Sequence, residues 1–191
     1  MEVEVTSEEL MLQAKNGDIH IRAQAFSRLV KRHGDHLLRY LSRKCGDKTS
    51  AQDLSQEIWL KLFDTRARYN VNAKFTHYLF KIAHNHFIDH YRRNKNKIRP
   101  ISMEVVALAE LSMVNDTELP DRQVEGQQTR QEILQYVSKL PDEQGAVFLL
   151  KEHGGLNIEE IADITDTSKE TVKSRYRYAK EKLQSSMSGY E

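Results

Sequence analysis

Between residues 84 and 93 the chain reads HNHFIDHYRR, three imidazoles and a carboxylate followed by two arginines. Imidazole and carboxylate together hold borderline metals such as zinc, and His84, His86, Asp89 and His90 come within one residue of a metallo-hydrolase signature. The same stretch, ending in Arg92 and Arg93, could instead hold phosphates. Backbone geometry separates the two chemistries.

From Ala73 to Lys97 there is neither Pro nor Gly, and Phe75, Tyr78, Leu79, Ile82 and Ala83 recur at three and four residues. That spacing predicts one amphipathic helix. On a helix turning ~100° per residue, His84 and His86 stand ~200° apart and cannot share an ion. His86 and His90 are four apart and could, but both continue the apolar stripe, where a hydrogen-bonded core histidine sits. The metallo-hydrolase fold would also place its histidines on a loop after a strand, and no strand is legible here. No metal and no other cofactor is implied.

The elements around this helix come from composition and pattern. A chain of 191 residues makes one large domain or two small ones. With three prolines and eight glycines, most of it can be helix, and the lone Cys45 excludes an intramolecular disulfide and a thiolate zinc cluster. No apolar run approaches the ~18 residues of a membrane span, and the N-terminus MEVEVTSEEL is acidic where a signal peptide is basic, so a cytoplasmic protein is expected.

The near-zero net charge conceals segregation. Residues 1–97 carry 18 Lys/Arg against 11 Asp/Glu, residues 98–128 carry 2 against 6, and residues 129–191 carry 9 against 11. The middle segment is acidic, holds two prolines and shows no sustained helical stripe, which reads as a flexible linker between two helical domains. As a single surface loop, ~30 structureless residues would be unusual.

In the first module, SEELMLQAKNG and AQAFSRLVKRHGDHLLRYLSRKCG make two helices. TSAQDLSQEIWLKLF makes a third, with Thr49 or Ser50 as its cap and Ala51, Leu54, Ile58 and Leu62 pointing inward. Asp53, Gln56, Glu57 and Leu60 gather on its opposite side, either a solvated face or one that docks another protein.

In the last module, LNIEEIADITDTSKETVKSRYRYAKEKL sets Ile158, Ile161 and Ala162 on a short helix, then a tight polar turn. A second helix follows, with Val172, Tyr176, Ala179 and Leu183 inward. This is helix-turn-helix spacing. Thr167 as N-cap with Glu170 three residues later would form a capping box. The outward face presents Lys169, Glu170, Thr171, Lys173, Ser174, Arg177 and Tyr178, side chains able to reach base edges and phosphates.

QDLSQEIWLKLF, FTHYLFKIAHNHFIDHYRR and LPDEQGAVFLLKEHGGLNIEEIADITDTSKETVKSRYRYAKEKL, in this order, resemble the bacterial extracytoplasmic-function (ECF) sigma factors of the sigma-70 family. The resemblance covers nearly the whole chain. It implies an all-α protein of two small helical domains, sigma region 2 over 1–97 and sigma region 4 over 129–191, joined by an acidic linker over 98–128. It also implies a non-enzymatic transcription initiation factor whose partners are core RNA polymerase (the β′ clamp helices and the β subunit), promoter DNA and an anti-sigma factor.

Residue by residue, Asp53, Gln56, Glu57 and Leu60 are similar to the part of region 2 that docks on the clamp helices. The loop DTRARYNVNAK resembles the one that captures a flipped −10 base, with Tyr69 at an aromatic position and Asn85 nearby. Stacking a base on an aromatic ring returns ~1–3 kcal/mol of the few spent extracting it. Arg92, Arg93, Lys95 and Lys97 would hold phosphates. Lys169, Thr171, Lys173, Ser174, Arg177 and Tyr178 would read the −35 duplex. Two positions depart from the family pattern: Tyr78 stands where tryptophan is usual, and Tyr178 replaces a common arginine. A helix-turn-helix regulator acting without polymerase would leave the 53–60 face and the Tyr69 loop without a purpose. A metal-dependent nuclease would need the histidine cluster.

Overall fold

A computed structural model of the protein describes residues 5–70, 73–94, 136–137 and 139–187. Lys95, Lys97 and the 98–128 linker lie outside the described residues. Among those described there is no strand; the elements are helices α1 (Ser7–Asn16), α2 (Ile19–Cys45), α3 (Lys48–Asp64), a single 3-10 turn (Arg66–Arg68), α4 (Phe75–Asn94), α5 (Asp142–Glu152), α6 (Ile158–Thr165) and α7 (Lys169–Met187).

Local chemistry marks most of the helix ends. Thr6 and Glu9 form a reciprocal capping box on α1, Asp18 accepts from two amides at the start of α2, and Gly46, left-handed at φ 74°, ends α2 with its N–H on the Ser42 carbonyl. Helix α3 is capped by Asp47, whose carboxylate accepts from Ser50 N–H at 2.7 Å, two or three residues earlier than the expected Thr49 or Ser50. A carboxylate is as good an N-cap as a hydroxyl and also opposes the positive end of the helix dipole. Asn157 and Glu160 box the start of α6, and Asp166 ends it in the left-handed region at φ 51°.

The start of α7 also differs from expectation. Ser168, not Thr167, is the cap, its hydroxyl accepting from Thr171 N–H at 3.1 Å. Thr167 turns its hydroxyl to Thr165 instead, and Glu170 pairs with Lys173. Asp166 is left-handed because it closes α6, its N–H and that of Thr167 both bonding the Ala162 carbonyl.

The first module closes around α2. Leu29, Leu37 and Leu41 of α2 meet Leu10 and Met11 of α1, Leu54, Ile58 and Leu62 of α3, and Phe75, Leu79 and Ala83 of α4, all buried. In the last module α5 works two ways. Phe148 and Leu149 join Ala179 and Leu183 of α7 in a small cluster, while Ala146, Val147 and Leu150 join the core of the first module, together with Ile161, Ile164 and Val172. The second module therefore rests on the first, α5 against α2 and α6 against α4.

Candidate polymerase and nucleic-acid interface

Helix α3 supplies the first surface. Its inward residues Ala51, Leu54, Ile58 and Leu62 are buried, so Asp53, Gln56, Glu57 and Leu60 are turned to solvent, and Leu60 keeps 67% of its surface exposed. An exposed leucine among acidic and amide groups suits a docking face, where its burial is worth about 1.5–3 kcal/mol. Glu57 is not free to swing: its Oε2 lies 2.7 Å from His86 Nε2 on α4.

The opening histidines are thereby accounted for in part. His86 faces α3 and meets Glu57, while His84 turns to α2, with Nδ1 2.9 Å from the Tyr40 hydroxyl. Burial, followed by the nearby Lys44 charge, lowers the His84 pKa. Their partners lie on different helices, as a 200° separation requires. Among the described residues no three His, Cys, Asp or Glu side chains converge on a common point where a metal would sit.

Tyr69 departs from expectation. Its ring is 2% exposed, packed at 5.3 Å from that of Tyr78; its hydroxyl donates to the Ala73 carbonyl, and its own carbonyl accepts from Lys15 Nζ at 3.1 Å. Burial first, then Glu8, pushes the phenol up to about 12. A ring held this way shapes the loop from inside and presents no open face to a base. Sequence could place an aromatic in the loop but not its direction, because a loop has no periodicity. Tyr78, half-buried on α4, is tied by its hydroxyl to the Thr65 carbonyl at 3.1 Å. Asn85, Arg92 and Arg93 are exposed along α4.

Helix α7 carries the other surface. Val172, Ala179 and Leu183 are buried; Tyr176 is half-buried, stacked on Phe148 with its hydroxyl on Glu152. Lys169, Lys173, Arg177 and Tyr178 are exposed on the opposite side, and Thr171 and Ser174 are half-buried between them. The cations are held only by surface carboxylates: Lys169 by Glu159, Lys173 by Glu170, and Arg177 by Glu181 at 3.7 Å, with the Arg177 guanidinium over the Tyr178 ring. Exposed pairs of this kind contribute about 0–1 kcal/mol, so a phosphate or a guanine edge can replace them.

Sequence reasoning passed over a third group. Lys74, just before α4, and His77 and Lys81 on α4 face Glu160 and Asp163 on α6: Lys74 Nζ to Glu160 at 3.2 Å, His77 Nε2 to Asp163 at 2.9 Å and Lys81 Nζ to Asp163 at 3.0 Å. Nearby, Lys44 Nζ, its side chain 5% exposed, meets both Asp142 and Glu143 at 3.1 Å. The only signal in the sequence was the basic balance of the first module against the acidic balance of the last.

Comparison with known proteins decides the family. The Sigma-70 region 2 family model matches residues 29–97, and the Sigma-70 region 4 model matches residues 130–183. The ECF RNA polymerase sigma factor SigM of Bacillus subtilis is 30% identical over 148 residues, covering 76% of this chain and 84% of that protein. This chain belongs to the ECF sigma factors of the sigma-70 family. SigW of the same organism is 29% identical over 185 residues, covering 95% and 96% of the two chains. The sigma factor shares its fold with CnrH, solved with the cytosolic domain of CnrY (TM-score 0.60, 22% identity, covering 97% of this chain and 99% of that one). It shares it too with the sigma factor RpoE of Bartonella quintana (TM-score 0.61, 18% identity, covering 88% and 99%). The open face of α7 is thus the helix-turn-helix surface of a sigma factor's region 4.

Proposed function

We propose that this sigma factor docks on core RNA polymerase through Asp53, Gln56, Glu57 and Leu60 of α3 and reads −35 duplex DNA with Lys169, Thr171, Lys173, Ser174, Arg177 and Tyr178. It then opens −10 DNA along α4, where Asn85 faces the unpaired strand and Arg92 and Arg93 hold phosphates; Lys95 and Lys97, which follow in the sequence, hold phosphates as well. Tyr69 contributes by fixing the loop that precedes α4. The observation that carries this reading is the simultaneous exposure of the α3 face and the α7 face on one chain. A regulator acting without polymerase has no use for Leu60. The factor performs no chemistry of its own; melting is driven by binding to the opened strand.

Residues 1–97 and 129–191 act as the two functional domains, with 98–128 between them, and the site of action is the cytoplasm. No helix among the described residues is long and apolar enough to cross a membrane. The two solved neighbours were captured with protein partners, the cytosolic domain of CnrY and the anti-sigma factor NepR, which supports an anti-sigma partner here. Run-off transcription with core polymerase on fragments of the source genome, with start sites mapped, tests the function. Core-dependent initiation at a consistent −35/−10 pair is expected, and its absence would overturn the reading.

A further inference from the structure

Helix α7 offers DNA a carboxylate as well as cations. Glu170 stands in its first turn on the outward face, with its side chain 80% exposed. Ser168 caps the helix, and the Glu170 carboxylate turns to Lys173 Nζ at 2.8 Å. The recognition helix of a helix-turn-helix meets base edges with its N-terminal residues. A negative group carried there enters a groove walled by phosphates, which repel it unless a base donor receives it. In the major groove those donors are the N4 amino group of cytosine and the N6 amino group of adenine.

We propose that Glu170 and Lys173 together read one C·G base pair of the −35 element, the carboxylate accepting from cytosine N4 and the ammonium donating to O6 and N7 of the paired guanine. The proposal rests on the reading of α7 as the −35 helix and adds to it a base pair that the promoter must carry. Two relations support it. The first is distance. Cytosine N4 and guanine O6 are Watson–Crick partners about 2.9 Å apart, and the charged ends that would meet them stand 2.8 Å apart in the free chain. The side chains thus present an acceptor and a donor at the spacing at which the base pair presents a donor and an acceptor. The second is the place of the purine N7. In C·G it lies beside O6, on the side of the lysine, and gives the cation a second acceptor. In A·T it lies beside the amino group, where its lone pair faces the carboxylate, and the thymine methyl crowds the lysine. The ion pair also survives docking: each partner keeps the other while it meets the base edge, so neither charge is left alone in the groove.

The test uses the full chain bound to core polymerase. Its probes are promoter templates with a randomised −35 region upstream of a −10 element and start site mapped by run-off transcription. Templates retained on filters by the holoenzyme are sequenced. At one −35 position the parent should favour cytosine roughly tenfold over each other base. Glu170→Ala should flatten that position alone. Glu170→Gln should turn it toward adenine, whose N6 and N7 a glutamine side chain meets bidentately. A preference that switches base cannot come from a damaged helix. A parental profile in the alanine variant, or a loss spread evenly over all −35 positions, would overturn the assignment while leaving α7 as the −35 helix. Absence of any −35 selection by the parent would instead overturn the reading of α7, and the assignment with it.

Discussion

The carboxylate of Glu8, in the first turn of α1, accepts a hydrogen bond from the backbone N–H of Phe75 at 2.8 Å, so the start of α4 is capped by a side chain 67 positions earlier. Helix α4 carries the −10 surface proposed above, and this bond helps set where the helix begins. Glu8→Ala should lower stability by about 0.5–2 kcal/mol in urea denaturation and speed amide exchange at the start of α4. Glu8→Gln, which keeps an acceptor, should recover most of both. Unchanged exchange in the alanine variant would show that the cap is dispensable.

Replacing Asp53, Gln56 and Leu60 with Ala, Ala and Arg should abolish co-purification with core polymerase while leaving the helical circular-dichroism signal intact. All three side chains are exposed and point away from the buried stripe of α3. Glu57 is left alone because it is bonded to His86. Tight binding by the triple variant would place the docking face elsewhere.

Lys173→Ala with Arg177→Ala should weaken initiation from duplex promoters steeply, each lost base contact costing on the order of 1–3 kcal/mol. Asn85→Ala should spare −35 binding and fail at strand opening. A template mismatched across −10 separates the two, because it removes much of the melting cost. It should rescue the Asn85 variant in part and the α7 variant little. Permanganate footprinting of exposed thymines on both templates reads the difference, and equal rescue would mean the labour is divided otherwise.

Tyr69 should behave as a core residue. Tyr69→Ala should cost roughly 3–5 kcal/mol of stability, and Tyr69→Phe, which loses only the hydroxyl bond to Ala73, about 1 kcal/mol. Thermal unfolding measures both. An alanine variant as stable as the parent, defective only in promoter opening, would restore the ring to the role of a stacking platform.

Acid should weaken the fold through His33. Burial, followed by the charges of His36 and Arg32, lowers its pKa from 6.5 to about 4, with Glu8 opposing. The folded ring stays neutral, its Nε2 2.7 Å from the Ser7 hydroxyl. A group that protonates more readily unfolded than folded leaves stability intact above pH 6.5 and drains it as the pH falls from 6.5 toward 4. His84, lowered by burial, acts in the same direction. The urea midpoint should therefore fall between about pH 7 and pH 5, and His33→Asn should flatten that slope. A slope unchanged in the variant would remove His33 as its cause.

Periodicity alone determined that the chain is helical, which faces of α3 and α7 turn inward, and therefore which side chains α3 and α7 offer to partners. A helix repeats its environment every 3.6 residues, so a stripe of Ala51, Leu54, Ile58 and Leu62 dictates the solvent side without knowledge of the neighbours. The charge balance marked two modules of opposite character but could not say that they touch. Only the tertiary structure decided the direction of Tyr69, the cap from Glu8 to Phe75, the split of His84 and His86 between α2 and α3, and the seating of Glu160 and Asp163 on Lys74, His77 and Lys81. Each of these joins residues far apart in the chain, or sits in a loop without repeat. Such pairings are selected by the packing of whole helices, a long-range choice that no local pattern encodes.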